Sequence, residues 1–133
     1  MNESSVIDRI LRQARVIAVV GLSSRPQRPS HVVSEYMQHN GFRVVPINPN
    51  ETSVLGEKAY GSLRQIEEAV DLVNVFRKSD EVRPVVEDAI AIGAPAIWLQ
   101  EGVVDFEAAQ RAEKAGLDVV MDRCILKEHM SRS

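Results

Sequence analysis

Five apolar residues, Val16 to Val20 (VIAVV), run without a polar break into Gly21 and then into the polar stretch Leu22 to Ser30. An uninterrupted run rich in β-branched residues and closed by glycine predicts a strand covered on both faces. That is the setting of a parallel sheet, because a strand with one wet face alternates. Parallel strands need long crossovers, so the rest of the chain has to supply helices. The turn from such a strand into a helix aims backbone N–H groups along the helix dipole, a seat for a phosphate. A ligand-free strand-to-helix turn reads the same way, and this loop alone does not separate the two.

The pattern then repeats. Upstream, Ser5 and Asp8 resemble a capping box, and Val6, Ile7, Ile10, Leu11 and Ala14 follow at helical spacing. Downstream, Ser30 is positioned to cap a helix with Val32, Val33, Tyr36 and Met37 inward, ended by Asn40-Gly41. Phe42 to Ile47 reads as a second buried strand, stopped by Asn48-Pro49-Asn50. Glu51 to Gln65 is irregular, with an extended piece near Lys58 to Tyr60 and a helical turn around Leu63 to Ile66. Asp71 to Phe76 is the third strand, and Val82, Val85, Val86, Ala89 and Ile90 form the next apolar helix face, with Pro84 in its first turn. Ala96 to Leu99 is the fourth strand. Asp105 caps a helix with Phe106, Ala109, Ala112 and Ala115 inward, and Leu117 to Met121 is the fifth strand. Asp122 to Ser133 has no strong pattern.

Strands alternating with helices predict an α/β, Rossmann-like, open and mainly parallel five-stranded sheet with helices on both faces. A chain of 133 residues suits one such domain, residues 1–133. The formal charge of −3 and the absence of a basic block argue against nucleic acid as a partner. One cysteine, Cys124, excludes an internal disulfide and a cysteine-rich zinc site. With no basic, apolar leader at the start and no apolar run of membrane-spanning length, the expectation is a soluble, cytoplasmic protein that does not enter membranes. Monomer and homodimer both stay open, and no protein partner is indicated.

If strand order reverses after the first strand, the carboxyl ends of the first four border one crevice. The loops there are polar: Gly21 to Pro29, Asn48 to Asn50, Arg77 to Asp80 and Gln100 to Gly102. A nicotinamide or flavin dinucleotide would call for Gly-x-Gly-x-x-Gly, but Ser23 and Pro26 replace the second and third glycines. The acid expected at the end of the second strand is missing too, since that end reads Ile47-Asn48-Pro49. Arg25, Arg28, Arg77 and Lys78 on loops at one edge suit a ligand richer in phosphate.

The stretches Val20 to Pro26 (VGLSSRP), Pro46 to Pro49 (PINP), Asp71 to Ser79 (DLVNVFRKS), Ile97 to Gly102 (IWLQEG) and Met121 to Cys124 (MDRC) carry a family likeness over nearly the whole chain. The chain resembles the bacterial CoA-binding-domain proteins, small relatives of the nucleotide-binding domain of the succinyl-CoA synthetase alpha subunit. The resemblance implies coenzyme A as the ligand, with Gly21, Ser23, Ser24 and Arg25 on its pyrophosphate and Asn48 and Pro49 bordering the adenosine. It puts Phe76 and Arg77 against the adenine and Trp98, Gln100 and Gly102 beside the pantetheine arm. Where the synthetase has a lysine after its second strand this chain has Glu51, so Arg28 or Arg77 would have to meet the ribose 3′-phosphate.

The synthetase's chemistry needs a phosphorylated histidine and a second subunit, and neither is visible here. His31, His39 and His129 have no metal or triad spacing and read as solvent-exposed. Cys124 is placed either to form a mixed disulfide with CoA or simply to close the last strand. Glu101 and Asp122 have no partner that defines a reaction. The expectation is a non-catalytic module for CoA or acyl-CoA. A nicotinamide-dependent oxidoreductase and a ligand-free interaction domain are the alternatives.

Overall fold

The computed structural model describes residues 1–132. In chain order the elements are helix α1 (Ser4–Gln13), strand β1 (Val16–Val20), α2 (Pro29–His39), β2 (Arg43–Ile47) and a small hairpin of β3 (Ser53–Val54) and β4 (Glu57–Lys58). There follow β5 (Leu72–Val75), α3 (Val82–Ala91), β6 (Ala96–Leu99), α4 (Phe106–Lys114), β7 (Asp118–Met121) and α5 (Ile125–Arg132). Single 3₁₀ turns lie at Leu63–Gln65 and Ser79–Glu81.

The large sheet is parallel throughout, in the order β2-β1-β5-β6-β7. Its order reverses at β1, the condition on which a shared crevice at the strand ends depended. Period-two alternation splits the core into two layers. Ala18, Val20, Val73, Val75, Ile97 and Leu99 face α3 and α4, which answer with Val82, Val86, Ala89, Ala108, Ala109 and Ala112. Ile17, Val19, Leu72, Trp98 and Val120 face α1, α2 and α5, which supply Ile7, Ile10, Val33, Met37 and Ile125. Asp71 ties the entry to β1, its carboxylate accepting from the Arg15 and Val16 amides at 2.9 Å each.

Several local expectations are overturned. Helix α1 starts at Ser4 after Glu3, which makes no side-chain cap, so the Ser5–Asp8 capping box does not form. Ser30 does not cap α2: Pro29 already occupies the first turn, and Ser30 is buried with its hydroxyl turned back to the preceding loop. Val32 is 48% and Phe106 63% exposed, and Ala115 lies outside α4 and exposed, so none of the three faces the core. Asp105 does cap α4, accepting from the Ala108 amide at 3.0 Å. The segment after Met121 holds α5, and His129 there is partly buried, its ring edge-on to Tyr36 and Phe42. Among the described residues no helix is long and apolar enough to cross a membrane.

Candidate functional site

The connections leaving β1 and β5 run to opposite sides of the sheet, so the ends of these two strands part and open a crevice. Gly21 sits at its bottom. Its amide donates to Ile47 O at 2.8 Å, stitching β1 to β2 one residue beyond the strand. The backbone there has φ +87°, and a Cβ would lie 2.2 Å from the Phe76 carbonyl oxygen. Glycine is therefore required twice over, by conformation and by the close approach of the chain leaving β5.

Two cavities meet at this point. The larger, about 750 Å³, is lined by the expected residues Gly21, Ser23, Arg25, Arg28, Phe76, Arg77, Gln100 and Gly102. Lys78, Glu81, Glu101, Val103 and Cys124 also line it, along with Ser30 and Val33 from α2. The smaller, about 390 Å³, shares Gly21, Arg77 and Glu81 and adds Ile47, Pro49, Leu63 and Val85. Arg77, paired with Glu81 at 2.8 Å, forms part of the wall common to both. Ser24 and Asn48 line neither cavity; Asn48 instead ties two loops together, its side-chain amide donating to Leu22 O at 3.0 Å. Trp98 lines neither cavity: it is fully buried in the core layer under α1, α2 and α5, its indole N–H donating to Arg123 O at 2.9 Å.

The loop amides are not free. Ser23 N donates to the Ser30 hydroxyl at 3.0 Å, Arg25 N to the Ser23 hydroxyl at 3.1 Å, and Ser24 N to Glu51 Oε2 at 3.0 Å. The expected nest of open N–H groups is thus closed by the protein's own side chains. Short hydroxyls spaced two and seven residues from those amides let the loop fold around itself. His31 is part of the same knot: it is buried, not exposed, and its Nδ1 donates to Ser23 O at 2.9 Å. Bonding to Ser24, then the nearby Arg25 charge, holds the Glu51 carboxyl below the usual carboxylate range.

Positive charge remains for an anion. Among the described residues Arg25, Arg28 and Lys78 make no ion pair within 4 Å, whereas Arg77 is held by Glu81 and Glu101 by Lys127. Gln100, which lines the larger cavity, is fixed from beneath by a buried amide pair, its Nε2 donating to Asn74 Oδ1 at 2.6 Å. At the far rim, Asp122 Oδ1 accepts from Gly102 N at 2.8 Å and Cys124 lies half-buried beside it. The sequence marked the cations of these loops, Lys78 among them, but missed Glu81, Val103 and the α2 side chains Ser30 and Val33 as lining residues. Only the helix-to-crevice packing brings these together.

Residues 15–130 match the family described as the CoA binding domain. The chain belongs to that family. It is 45% identical over 123 residues to the uncharacterized protein YneT of Bacillus subtilis, covering 92% of this chain and 91% of that one. A hypothetical protein from Pyrococcus horikoshii has a solved structure that superposes with a TM-score of 0.94 at 36% identity, covering 97% of this chain and 91% of that one. The chain is also 26% identical over 122 residues to the alpha subunit of an ADP-forming acetate–CoA ligase II of Pyrococcus furiosus, covering 84% of this chain. It spans only 27% of that ligase subunit's length. In this CoA-binding domain, among the described residues, no group of three His, Cys, Asp or Glu is placed to hold a metal ion.

Proposed function

We propose that the protein binds CoA or an acyl-CoA without transforming it, as a single CoA-binding domain. The observation that carries this reading is the meeting of two cavities over Gly21 and Arg77, beneath cations left without ion pairs. A ligand with two ends and a charged middle suits that shape. The smaller cavity, with apolar Ile47, Leu63 and Val85, takes the adenosine end. The larger one, of a size typical for small-molecule sites (about 300–1,000 Å³), takes the pantetheine arm. The diphosphate lies between them beside Gly21, against the wall that Arg77 forms for both cavities.

With the loop amides already engaged, the cationic side chains carry the phosphate contact. Arg25 and Arg28 reach from the loop after β1, and Lys78 and Arg77 from the turn after β5. Guanidinium forks suit phosphate oxygens in two directions at once. The side chains around the cavity bind and orient, and none forms a nucleophile–base pair: His31, the histidine nearest the loop, is spent on Ser23 O. Isothermal titration with CoA, dephospho-CoA, NAD and ATP tests the reading. Binding of CoA or dephospho-CoA with no binding of NAD supports it, and binding of NAD alone overturns it.

A further inference from the structure

The lining residues common to the two cavities are Gly21, Arg77 and Glu81. Gly21 brings only backbone, so the partition there is built by two side chains of opposite charge. Arg77 Nη2 donates to Glu81 Oε2 at 2.8 Å, and Arg77 Cδ lies 3.3 Å from where a Cβ on Gly21 would stand. The arginine stem therefore passes close beside Gly21, with its charged end made fast to Glu81. Among the described residues the other cations of the larger cavity, Arg25, Arg28 and Lys78, have no such ion pair.

The turn that carries the pair is itself fixed. Glu81 N donates to Lys78 O at 2.9 Å, and the Ser79 hydroxyl donates to Gly102 O at 3.3 Å while accepting from Val104 N at 2.9 Å. The backbone from β5 into α3 is thus pinned to the loop after β6. Both charged side chains are exposed, at 39% and 41%, and are free to swing through solvent without moving it. A guanidinium that meets a carboxylate meets a phosphate by the same hydrogen bonds. A ligand spanning both cavities brings its diphosphate to Arg77 and so beside the Glu81 carboxylate, where like charges repel.

We infer that Arg77 and Glu81 form a latch between the cavities, Glu81 standing in for a phosphate until the ligand takes its place on the guanidinium. The inference rests on the CoA reading and adds to it: Glu81 is a competitor that sets affinity and yields Arg77 only to a ligand with an anion of its own. Breaking an exposed pair of this kind costs little, so the latch weakens binding by about two- to fivefold and does not prevent it.

The test compares the unsubstituted chain with Glu81→Gln, titrated with CoA by calorimetry and by NMR of the arginine Nε–H groups. Arg77→Lys identifies the Arg77 signal by its disappearance. Glu81 makes no side-chain cap on α3, so Glu81→Gln keeps the fold, as an unchanged urea midpoint checks. The expected result is CoA binding about two- to fivefold tighter in Glu81→Gln at low salt, with the gain shrinking as salt is raised. The Arg77 Nε–H signals of the two free proteins differ, and with CoA bound they coincide, because the guanidinium has left residue 81 in both. Unchanged or weaker affinity in Glu81→Gln, with both proteins still binding CoA, overturns the latch and leaves the CoA reading intact. So do bound-state signals that stay as far apart as the free ones, since the pair then survives beside the ligand. If neither protein binds CoA, the CoA reading falls and the latch with it.

Discussion

Gly21→Ala is the substitution whose cost follows most directly from the geometry. Alanine at φ +87° brings the left-handed penalty of roughly 1–2 kcal/mol. Its Cβ would also stand 2.2 Å from the Phe76 carbonyl oxygen, a backbone atom that cannot swing away as a side chain does. Relieving that overlap means parting β1 from the chain leaving β5, which resembles overpacking and adds about 1–3 kcal/mol. The expected total is a loss of about 2–5 kcal/mol, against a typical stability of about 5–15 kcal/mol, so the variant still folds. Gly116→Ala is the control. Gly116 has φ +95° and nothing within 4 Å of its missing Cβ, so it carries the conformational penalty alone. Any entropy that alanine removes from the unfolded chain is common to both variants and cancels. Urea unfolding followed by circular dichroism should place Gly21→Ala about 1–3 kcal/mol below Gly116→Ala, with CoA affinity lost only in the former. Equal losses would refute the claim that the two chains are pressed together at the bottom of the crevice.

Other consequences concern charge and access. Arg28→Ala should weaken CoA binding by about tenfold, or about 1.4 kcal/mol, and flatten its salt dependence, read by titration at two ionic strengths. Alkylation of Cys124, which lines the larger cavity, should slow several-fold when CoA saturates the protein, as followed by intact-mass spectrometry. Asp105→Ala should cost about 1 kcal/mol near neutral pH through loss of the α4 cap. The Ala108 hydrogen bond, aided by Arg83, lowers the Asp105 pKa, so its contribution is present above the ordinary carboxylate range. The gap between Asp105→Ala and the unsubstituted protein should therefore begin to close as pH enters that range and be lost below it, as pH passes the lowered folded-state pKa, and urea midpoints taken from neutral pH down to strongly acid pH check it.

The sheet was readable because each central strand is a short, nearly unbroken apolar run, and burial on both faces leaves such runs few other placements. Much that was misread hangs on partners distant in sequence. The hairpin of Ser53–Val54 and Glu57–Lys58 has two residues a strand, too few for a period, and its turn forces Leu55 to φ 54°. Helix α5 has one fully buried apolar residue, Ile125, and is held partly by His129 against Tyr36 and Phe42, contacts no local pattern announces. Phe106 looked like a core residue by type, but the small Ala108, Ala109 and Ala112 are what let α4 lie close on the sheet.

Site residues divided along the same line. Gly21 and the cationic loops could be placed from the strand ends alone, and the structure gathers most of them around one cavity. Trp98 lies outside the lining because it is packed into the core under α1, α2 and α5, a burial that its closeness to the loop after β6 does not announce. The occupied amides were invisible for a different reason. Glu51 meets Ser24 across a separation of 27 residues, and Ser30 serves the loop and not its own helix.

Nitrogen-edited NMR of the labelled protein during CoA titration reads the location of binding residue by residue. The amides of Gly21, Ser23, Arg25, Lys78 and Gly102 should shift together and saturate at one dissociation constant, while α4, which lines neither cavity, stays still. Shifts confined to α4, or no shift at saturating CoA, would contradict a cofactor site where β1 and β5 part.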